Sequence, residues 1–311
     1  MDNSHVPVML QEVKTFIPRN RKLNLIDATF GGGSYSKAML EEFKIKNLIA
    51  IDRDPISKIF FKKLKKNYKN IDLFNEKFSK IDELINKSKY SKEKFDVIIF
   101  DLGVSSNQIN NPERGFSFQK EGPLDMMMGS SILNAFDVIN SFDEKKLADI
   151  FFNFGEEKFS RRIAKNIVIN RYKKSINSTI ELSDIIKKSL PFDNLNKKIH
   201  PATKTFQALR IYVNDELNEL KKALEKSENL LAKDGLLILV SFQSLEDRIV
   251  KDFFNHKSGK RWRSSRHLPD LADLGPITLK IITKKPLRPS DHEIKNNPRS
   301  RSAKLRVAQK I

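Results

Sequence analysis

The sequence contains no cysteine in its 311 residues. Disulfide bonds, thiolate metal sites and iron–sulfur clusters are therefore excluded, as is covalent catalysis by a thiolate. No apolar run approaches the roughly 18 residues that a membrane-spanning helix requires. The first ten residues lack a basic segment followed by an apolar one, so we expect no secretion signal. The five histidines do not recur at the spacing of metal ligands, so we expect no structural metal.

Acidic residues are scarce relative to basic ones. The chain has 39 Asp and Glu against 58 Lys and Arg, which gives a net charge of +19 and a pI near 9.8. Such an excess predicts a polyanionic partner, above all a nucleic acid. The alternative is compositional drift, because the chain is rich in Lys, Asn and Ile, as expected from an AT-rich genome. With 39% hydrophobic residues, the chain is typical of a folded globular protein rather than a disordered one.

The first hundred residues alternate between short apolar runs and amphipathic segments. The apolar runs predict strands at Leu23–Asp27, Asn47–Asp52, Ile71–Phe74 and Phe95–Asp101. The segments between them predict helices at Ser34–Phe43, Ile56–Lys66 and Ser79–Asn86. The fourth run is apolar on both faces, which is typical of a central strand in a parallel sheet. The repeated order of strand and helix predicts an α/β fold with a doubly wound sheet.

This alternation stops after about residue 107, and from Phe136 to Leu190 the pattern is helical only. Thr203–Leu231 is predicted as one long amphipathic helix. Apolar strand patterns then return. They predict a strand at Gly235–Ser241, which is followed by a helix at Leu245–Phe254, and an antiparallel pair of strands formed by Pro276–Thr283 and Ala303–Ala308. We therefore predict that an α/β domain of residues 1–112 and 204–311 is interrupted by a helical insert at 113–203.

A glycine-rich segment, DATFGGGSYS at 27–36, follows the first predicted strand and opens a helix. Glycines let the backbone approach a ligand closely, and the helix N-terminus offers free N–H groups. Asp52 ends the second strand, where an acid commonly binds two ribose hydroxyls. Both NAD and S-adenosylmethionine present a ribose at such a place. The segment therefore predicts a nucleoside cofactor, and the alternative is a glycine turn without a ligand.

Three features favour S-adenosylmethionine over a dinucleotide. Ser36 stands where the G-x-G-x-x-G pattern requires its third glycine. Asp27 precedes the glycines, where a carboxylate can meet the cationic methionine end but would repel a pyrophosphate. The fourth strand ends in the polar motif DLGVSS at 101–106, at the edge of the sheet where ligands bind in such folds.

Long sequence blocks run in order along the chain: His5–Val8, Ala50–Pro55, Asp101–Ser106, Glu113–Phe118, Gly122–Met126, His200–Thr203, Thr205–Ile211, Ser241–Phe242, Ser244–Lys251 and Asn297–Arg306. In these blocks the chain resembles the bacterial 16S ribosomal RNA (cytosine-N4) methyltransferases of the decoding region. The resemblance implies a Rossmann-like class I S-adenosylmethionine methyltransferase sheet with an inserted all-helical domain for substrate recognition. It also implies a cytoplasmic enzyme that methylates the N4 amine of a cytidine in 16S ribosomal RNA. The partner would be the small ribosomal subunit or its 16S RNA, and no membrane would be involved. The oligomeric state could be a monomer or a homodimer.

The resemblance also implies which residues hold the methyl donor: Gly33, Ser34, Tyr35, Asp52, Phe78, Asp101 and Gln108. The chain departs from the family pattern at two places. The family usually has Gly-Gly-His where this chain has Gly33-Ser34-Tyr35, a change that backbone contacts should survive. Gln243 replaces the histidine of a Ser-Phe-His-Ser block, so we expect no essential general base there.

The proposed chemistry requires a hydrogen-bond acceptor near the target amine. The lone pair of a cytosine amine is delocalised into the ring, which makes the nitrogen a poor nucleophile. An acceptor must therefore hydrogen-bond to the N–H while the methyl group is transferred. Asp101 and the following turn with Ser105 and Ser106 are the best candidates. The alternative is that Asp101 only positions the donor. A paired base must also leave its stack to reach the methyl group.

Several residues of the insert are weaker candidates. His200 precedes a proline in a linker and is more often structural than a catalytic base. Arg161 and Arg162 either contact phosphates or form a solvated face. Four phenylalanines would pack the insert, or one of them would stack on a base: Phe151, Phe152, Phe154 and Phe159.

Three other functions fit the sequence less well. Methylation of DNA amines would require an Asp/Asn/Ser-Pro-Pro-aromatic motif after the fourth strand, where this chain has Asp101-Leu102-Gly103-Val104. A non-catalytic RNA-binding or ribosome-assembly factor is disfavoured by an intact donor site. A dehydrogenase is disfavoured by the missing third glycine.

Overall fold

The chain forms two compact units. The computed structural model describes residues 7–129, 131–192, 200–260 and 276–311, so the block that starts at His5 lies partly outside the described residues. The first unit comprises Met1–Gly103 and Leu217–Ile311, and the second comprises Val104–Glu216. The second unit therefore extends beyond both ends of the insert placed at 113–203 by the sequence.

The first unit is built on a seven-stranded sheet. Its strands are β1 (Leu23–Asp27), β2 (Ile45–Ile51), β3 (Ile71–Phe74), β4 (Phe95–Asp101), β5 (Leu231–Ser241), β6 (Leu279–Ile281) and β7 (Lys304–Lys310). They follow the order β3-β2-β1-β4-β5-β7-β6. Strands β1 to β5 are parallel, and β7 is antiparallel to both of its neighbours. The predicted α/β class and the predicted closing antiparallel pair are confirmed.

Strand β4 lies at the centre of this sheet, as its apolar sequence predicts. Val97 and Ile99 enter one core cluster, while Ile98 and Phe100 enter another. Successive side chains of a strand point to opposite faces, so both faces of the sheet are covered. The helices described in or bordering this unit are Leu10–Phe16, Ser34–Glu42, Ser57–Asn67, Ile81–Asn86, Glu216–Leu230, Ser244–Lys257 and Asp291–Asn296.

The described part of the second unit is helical apart from one isolated bridge between Pro123 and Ser178. Its α-helices are Ser106–Asn110, Ala135–Ser141, Glu144–Gly155, Ser160–Lys173, Thr179–Ser189 and Thr203–Asn214. All of them except Ser106–Asn110 contribute to a third core cluster. Gly155 marks a close helix contact, because a Cβ there would lie 2.5 Å from the Lys204 carbonyl oxygen. Throughout the described ranges, no helix combines the length and apolarity needed to cross a bilayer.

The prediction of one helix over Thr203–Leu231 is wrong. Thr203–Asn214 and Glu216–Leu230 are separate helices, because Asp215 between them has a left-handed backbone with φ of 52°. Such a residue ends a helix, and Asp adopts this conformation more readily than most residues. The Asn214 side chain donates to the Met126 carbonyl oxygen at 2.7 Å and accepts from the Met128 N–H at 2.8 Å. The end of the first helix is thus held by a segment far away in sequence.

Candidate functional site

The carboxyl ends of three adjacent strands carry the acids that the sequence singled out. In the sheet register, Asp27 of β1 lies opposite Ala50 of β2 and Ile99 of β4. Asp52 and Asp101 each follow these partners by two residues. Because the strands are parallel, their tips meet at one edge of the sheet. The convergence on which the ligand-site hypothesis depends is therefore present within the first unit.

The glycine segment after β1 forms a tight turn into the helix Ser34–Glu42. Gly33 caps this helix without a side-chain hydrogen bond and has a φ of 78°, in the left-handed region that favours glycine. A Cβ at Gly33 would lie 2.7 Å from Cζ of Phe30. The N–H groups of Ser34 and Tyr35 have no partner within the helix, because they belong to its first turn. The turn thus presents backbone donors at the sheet edge, where a ligand can approach closely.

Asp52 is held by backbone donors on both carboxylate oxygens. The Gly31 N–H donates to Oδ2 at 2.6 Å, and the Asp54 N–H donates to Oδ1 at 2.7 Å. Burial raises the pKa of Asp52 to about 6, although these two hydrogen bonds act to lower it. Each carboxylate oxygen can accept a second hydrogen bond. The pair of oxygens is therefore suited to a vicinal diol such as a ribose.

Asn75 supports the Asp52 segment and was not singled out in the sequence. Its Nδ2 donates to the carbonyl oxygens of Asp52 at 2.7 Å and Asp54 at 3.2 Å. The only available signal was a polar residue directly after β3. The predicted Phe78 begins a short 3₁₀ helix after β3, and its ring packs edge-on against Phe100 with centroids 5.6 Å apart. Phe78 is half-buried, so it offers an apolar surface close to the strand ends.

Asp27 is hydrogen-bonded within the protein, and its contact with the cationic methionine end of a ligand stays a prediction. Its carboxylate accepts the Ser36 hydroxyl at 2.6 Å and the Thr29 N–H at 3.3 Å, and the residue is only 1% exposed. Burial raises its pKa to about 6. Ser36, which replaces the third glycine of the dinucleotide pattern, thus supplies a donor that fixes the turn.

Asp101 carries a carboxylate oxygen without a partner. Its Oδ1 is buried and has no hydrogen bond among the described residues, while its N–H donates to Thr29 Oγ1 at 2.7 Å. Burial raises the pKa of Asp101 well above its ordinary value, and the charges of Asp27, Glu246 and Glu293 raise it further. Buried polar atoms are rarely left unpaired. A perturbed acid at a sheet edge is a candidate for direct contact with a ligand.

Tyr35 is anchored away from solvent. The residue is 4% exposed and belongs to the core, and its hydroxyl donates to the Val8 carbonyl oxygen. Only its backbone is therefore available for the predicted contact with a methyl donor. Ser34, beside it, is half-buried.

Ser106 and Gln108 belong to the second unit. Gln108 is 6% exposed and forms a capping box with Ser105: Ser105 Oγ accepts the Gln108 N–H at 3.3 Å, and Gln108 Oε1 accepts the Ser105 N–H at 2.9 Å. Ser106 is the first residue of the helix Ser106–Asn110 and is half-buried. The contact of Gln108 with a methyl donor stays a prediction, as does the catalytic role of Ser106.

The acids that open the helix Ser244–Lys257 have structural partners. Glu246 Oε2 accepts the Phe242 N–H at 2.9 Å, and its Oε1 accepts Gln243 Nε2 at 2.9 Å. Asp247 accepts Arg306 Nε at 2.6 Å and Lys304 Nζ at 2.9 Å. Gln243, which replaces the family histidine, therefore takes part in the cap of this helix.

His200 has the contacts of a structural residue. Its ring stacks on Phe118 with centroids 4.3 Å apart, and its Nδ1 is 3.2 Å from the Ala202 N–H. Burial lowers its pKa. Within the described ranges, no group of three or more histidine and acidic side chains is arranged to hold a metal ion.

The sheet order is that of a doubly wound α/β fold with antiparallel β7 beside β5, and its candidate acids lie at the carboxyl edge, where such folds bind ligands. The chain matches the model of the MraW methylase family over residues 2–311. It is 47% identical to a ribosomal RNA small subunit methyltransferase H from Rickettsia bellii and 46% identical to one from Rickettsia canadensis. Each alignment spans 313 residues and 100% of this chain, with 100% and 99% of the relative covered.

Among solved structures, an rRNA methylase from Streptococcus thermophilus matches with a TM-score of 0.43 and 9% identity, covering 99% of this chain and 98% of the other. We assign the family from the sequence matches alone. The chain belongs to the MraW methylase family. It is a methyltransferase that takes its methyl group from S-adenosylmethionine.

Proposed function

We propose that the protein methylates the N4 amine of a cytidine in the decoding region of 16S ribosomal RNA, in the cytoplasm. The observation that carries the proposal is the full-length identity to small-subunit ribosomal RNA methyltransferases. The net charge of +19 agrees with an RNA substrate. Methylation of cytosine carbon 5 by a cysteine nucleophile is excluded, because the chain has no cysteine.

The first unit fits S-adenosylmethionine. Asp52 has two oxygens that can each accept a ribose hydroxyl while keeping their bonds to Gly31 and Asp54. The turn at Gly33 is packed against the Phe30 ring so closely that it has no space for a Cβ, and it presents the backbone N–H groups of the first helical turn. Bound S-adenosylmethionine supplies an electrophilic methyl group on its sulfonium sulfur.

Asp101 is the residue that acts on the amine. Its buried Oδ1 accepts a hydrogen bond from the N4–H of cytosine and so restores electron density to the nitrogen. Its raised pKa makes the carboxylate a stronger proton acceptor than an exposed Asp. Asp101 then receives the proton that the methylated amine releases. Ser106 is a second candidate for the acceptor, and a purely positioning role for Asp101 is the alternative.

The helical unit recognises the RNA. It has its own core, built from helices rather than strands, and its surface carries basic and aromatic side chains. Phosphate contacts position a nucleic acid, while the reacting base is turned out of its stack.

The test is loss and rescue of one methyl group. Mass spectrometry of 16S ribosomal RNA from a deletion strain should show one cytidine without its N4 methyl group, restored by the wild-type gene but not by Asp52→Ala. Tritium transfer to purified small subunits, naked 16S RNA and DNA then identifies the substrate form. Preferred labelling of DNA would contradict the proposal, and calorimetry without binding of S-adenosylmethionine would instead favour a non-catalytic RNA-binding factor.

A further inference from the structure

One face of the helix Ser160–Lys173 is exposed and cationic. We call it the cationic stripe, and it consists of Arg161, Arg162, Lys165, Tyr172 and Lys173, all of which are exposed. At about 100° per residue, these positions lie within about 120° of the helix circumference. The opposite face buries Ile163, Ala164 and Ile167 in the core of the helical unit. Ile169, which is 44% exposed, lies in the same arc between Lys165 and Tyr172. The stripe is therefore an exposed surface with cations towards both of its ends.

The charges of the cationic stripe are not compensated locally. The helix contains no Asp or Glu, and within the described ranges none of the four basic side chains forms a hydrogen bond or ion pair. Arg171 on the same helix, by contrast, donates to the Ile139 carbonyl oxygen at 2.7 Å. Arg161 and Arg162 occupy the first turn, where the helix dipole disfavours cations. Helix stability therefore gives no reason for cations at these two positions, whereas an anionic partner would.

The composition of the stripe separates it from a face produced by compositional drift. The helix Ser57–Asn67 of the first unit also lacks acids, and its exposed cations Lys58, Lys62, Lys63 and Lys66 are all lysines. The stripe instead combines two arginines with Tyr172, which is 85% exposed. Guanidinium groups bind phosphates in a bidentate manner, and exposed aromatic rings stack on unpaired bases.

We infer that the cationic stripe binds the RNA strand of the substrate, with its cations on phosphates and Tyr172 against an unpaired base. The inference rests on the proposed function, which supplies RNA as the substrate. From Arg161 to Lys173 the helix rises about 18 Å. That length matches about five nucleotides of a stacked strand at about 3.4 Å each.

The test compares two triple variants of equal charge. One carries Arg161→Ala, Arg162→Ala and Lys165→Ala; the control carries Lys58→Ala, Lys62→Ala and Lys66→Ala. Filter binding of 16S ribosomal RNA transcribed in vitro is measured from about 50 to about 200 mM KCl. The stripe variant should lose at least about tenfold in affinity, and its slope of log K against log salt should flatten by about 2. The control should change by less than about threefold. Equal losses in both variants would show a net-charge effect and overturn the inference.

Tyr172 is tested by a separate pair of variants. Tyr172→Ala should weaken RNA binding by about tenfold with an unchanged salt slope, because stacking is not an ionic contact. Tyr172→Phe keeps the ring and should bind like the wild type. An equal loss in both would overturn the stacking contact.

Two further measurements separate this inference from the proposed function. If wild-type protein methylates small subunits and the stripe variant binds and methylates them equally well, the stripe inference alone fails. If wild-type protein neither binds 16S RNA nor methylates it, the proposed function fails. Vesicles containing phosphatidylglycerol test a membrane surface instead: a stripe variant that loses vesicle binding but keeps RNA binding would overturn the inference.

Discussion

Replacing Asp52 by alanine should weaken binding of S-adenosylmethionine by about two orders of magnitude. Each carboxylate oxygen already accepts one backbone N–H, from Gly31 at 2.6 Å and from Asp54 at 2.7 Å. Each retains one lone pair for a ribose hydroxyl. A hydrogen bond to a charged acceptor contributes about 1.5 kcal/mol or more. Two such bonds give about 3 kcal/mol, and every 1.4 kcal/mol is about tenfold in the dissociation constant.

Isothermal titration calorimetry with S-adenosylmethionine and with S-adenosylhomocysteine measures this loss. The affinity for both ligands should fall by the same factor, because both contain the ribose. Asp72→Ala is the matched control: it removes one carboxylate from the same sheet, but its partners are Lys65, Lys89 and Tyr90. If Asp52→Ala binds both ligands within about twofold of the wild type while Asp72→Ala does the same, Asp52 does not contact the ribose and the reasoning is refuted.

The same acid predicts the pH dependence of donor binding. The pKa of Asp52 is about 6 in the free protein, and protonation removes one of its acceptors. The ionised fraction falls about tenfold between pH 7 and pH 5, so affinity should fall about tenfold over that range. Asp27 titrates in the same range. Asp52→Asn therefore isolates the contribution of Asp52, and a variant with an unchanged pH profile would contradict the assignment.

Three other variants test the remaining parts of the site and its support. Asp101→Asn should lower kcat by about 100-fold while donor affinity stays within about threefold; a loss confined to donor affinity would favour the positioning role. Gly33→Ala should lower the free energy of unfolding by about 1–2 kcal/mol, because alanine is strained in a left-handed backbone. The new methyl group would lie 2.7 Å from Cζ of Phe30, so either this ring or the turn must shift. Since a shifted turn moves the backbone N–H groups offered to the donor, donor affinity should fall as well. Urea unfolding measures the loss of stability and calorimetry the loss of donor affinity. Gly32→Ala is the control: Gly32 has no positive φ, so both quantities should stay close to those of the wild type.

Asp247→Ala should lower the free energy of unfolding by about 3 kcal/mol, because Arg306 is left buried without its partner. The pKa of Asp247 is lowered, so its stabilisation is present above its ordinary pKa and is lost as the pH falls through the lowered value. Urea unfolding at neutral and acidic pH should therefore show wild type and variant converging in acid.

Strands were predicted best where both faces are apolar. Leu23–Asp27, Ile71–Phe74 and Phe95–Asp101 have the bounds that the sequence predicts. Leu23–Asp27 is buried throughout and Phe95–Asp101 is buried up to Phe100, so in these two the buried run and the strand coincide. In Ile71–Phe74 only Ile71 is buried. Strand β5 begins at Leu231, earlier than the predicted Gly235, because its register with β4 shifts before the regular pairing starts.

The sequence placed the candidate residues at one edge of the sheet but did not predict their contacts within the protein. The glycine turn, Asp52 and Asp101 were identified because they follow strands, and parallel strands end at one edge. Thr29 and Asn75 were missed, since their bonds to Asp101 and Asp52 join residues 72 and 23 positions apart. No local pattern contains such a contact.

The amino-acid sequence by itself determined the α/β class, the strand tips that form the candidate site and the basic character of the chain. These properties depend on periodicity, on glycine backbone freedom and on charge, all of which are local or additive. The tertiary structure alone decided that Asp27 is hydrogen-bonded to Ser36, that Tyr35 is anchored to Val8, and that Asp101 has a buried oxygen without a partner among the residues that the structure describes. Burial and pairing depend on which distant segments meet, and so does the raised pKa of a carboxylate.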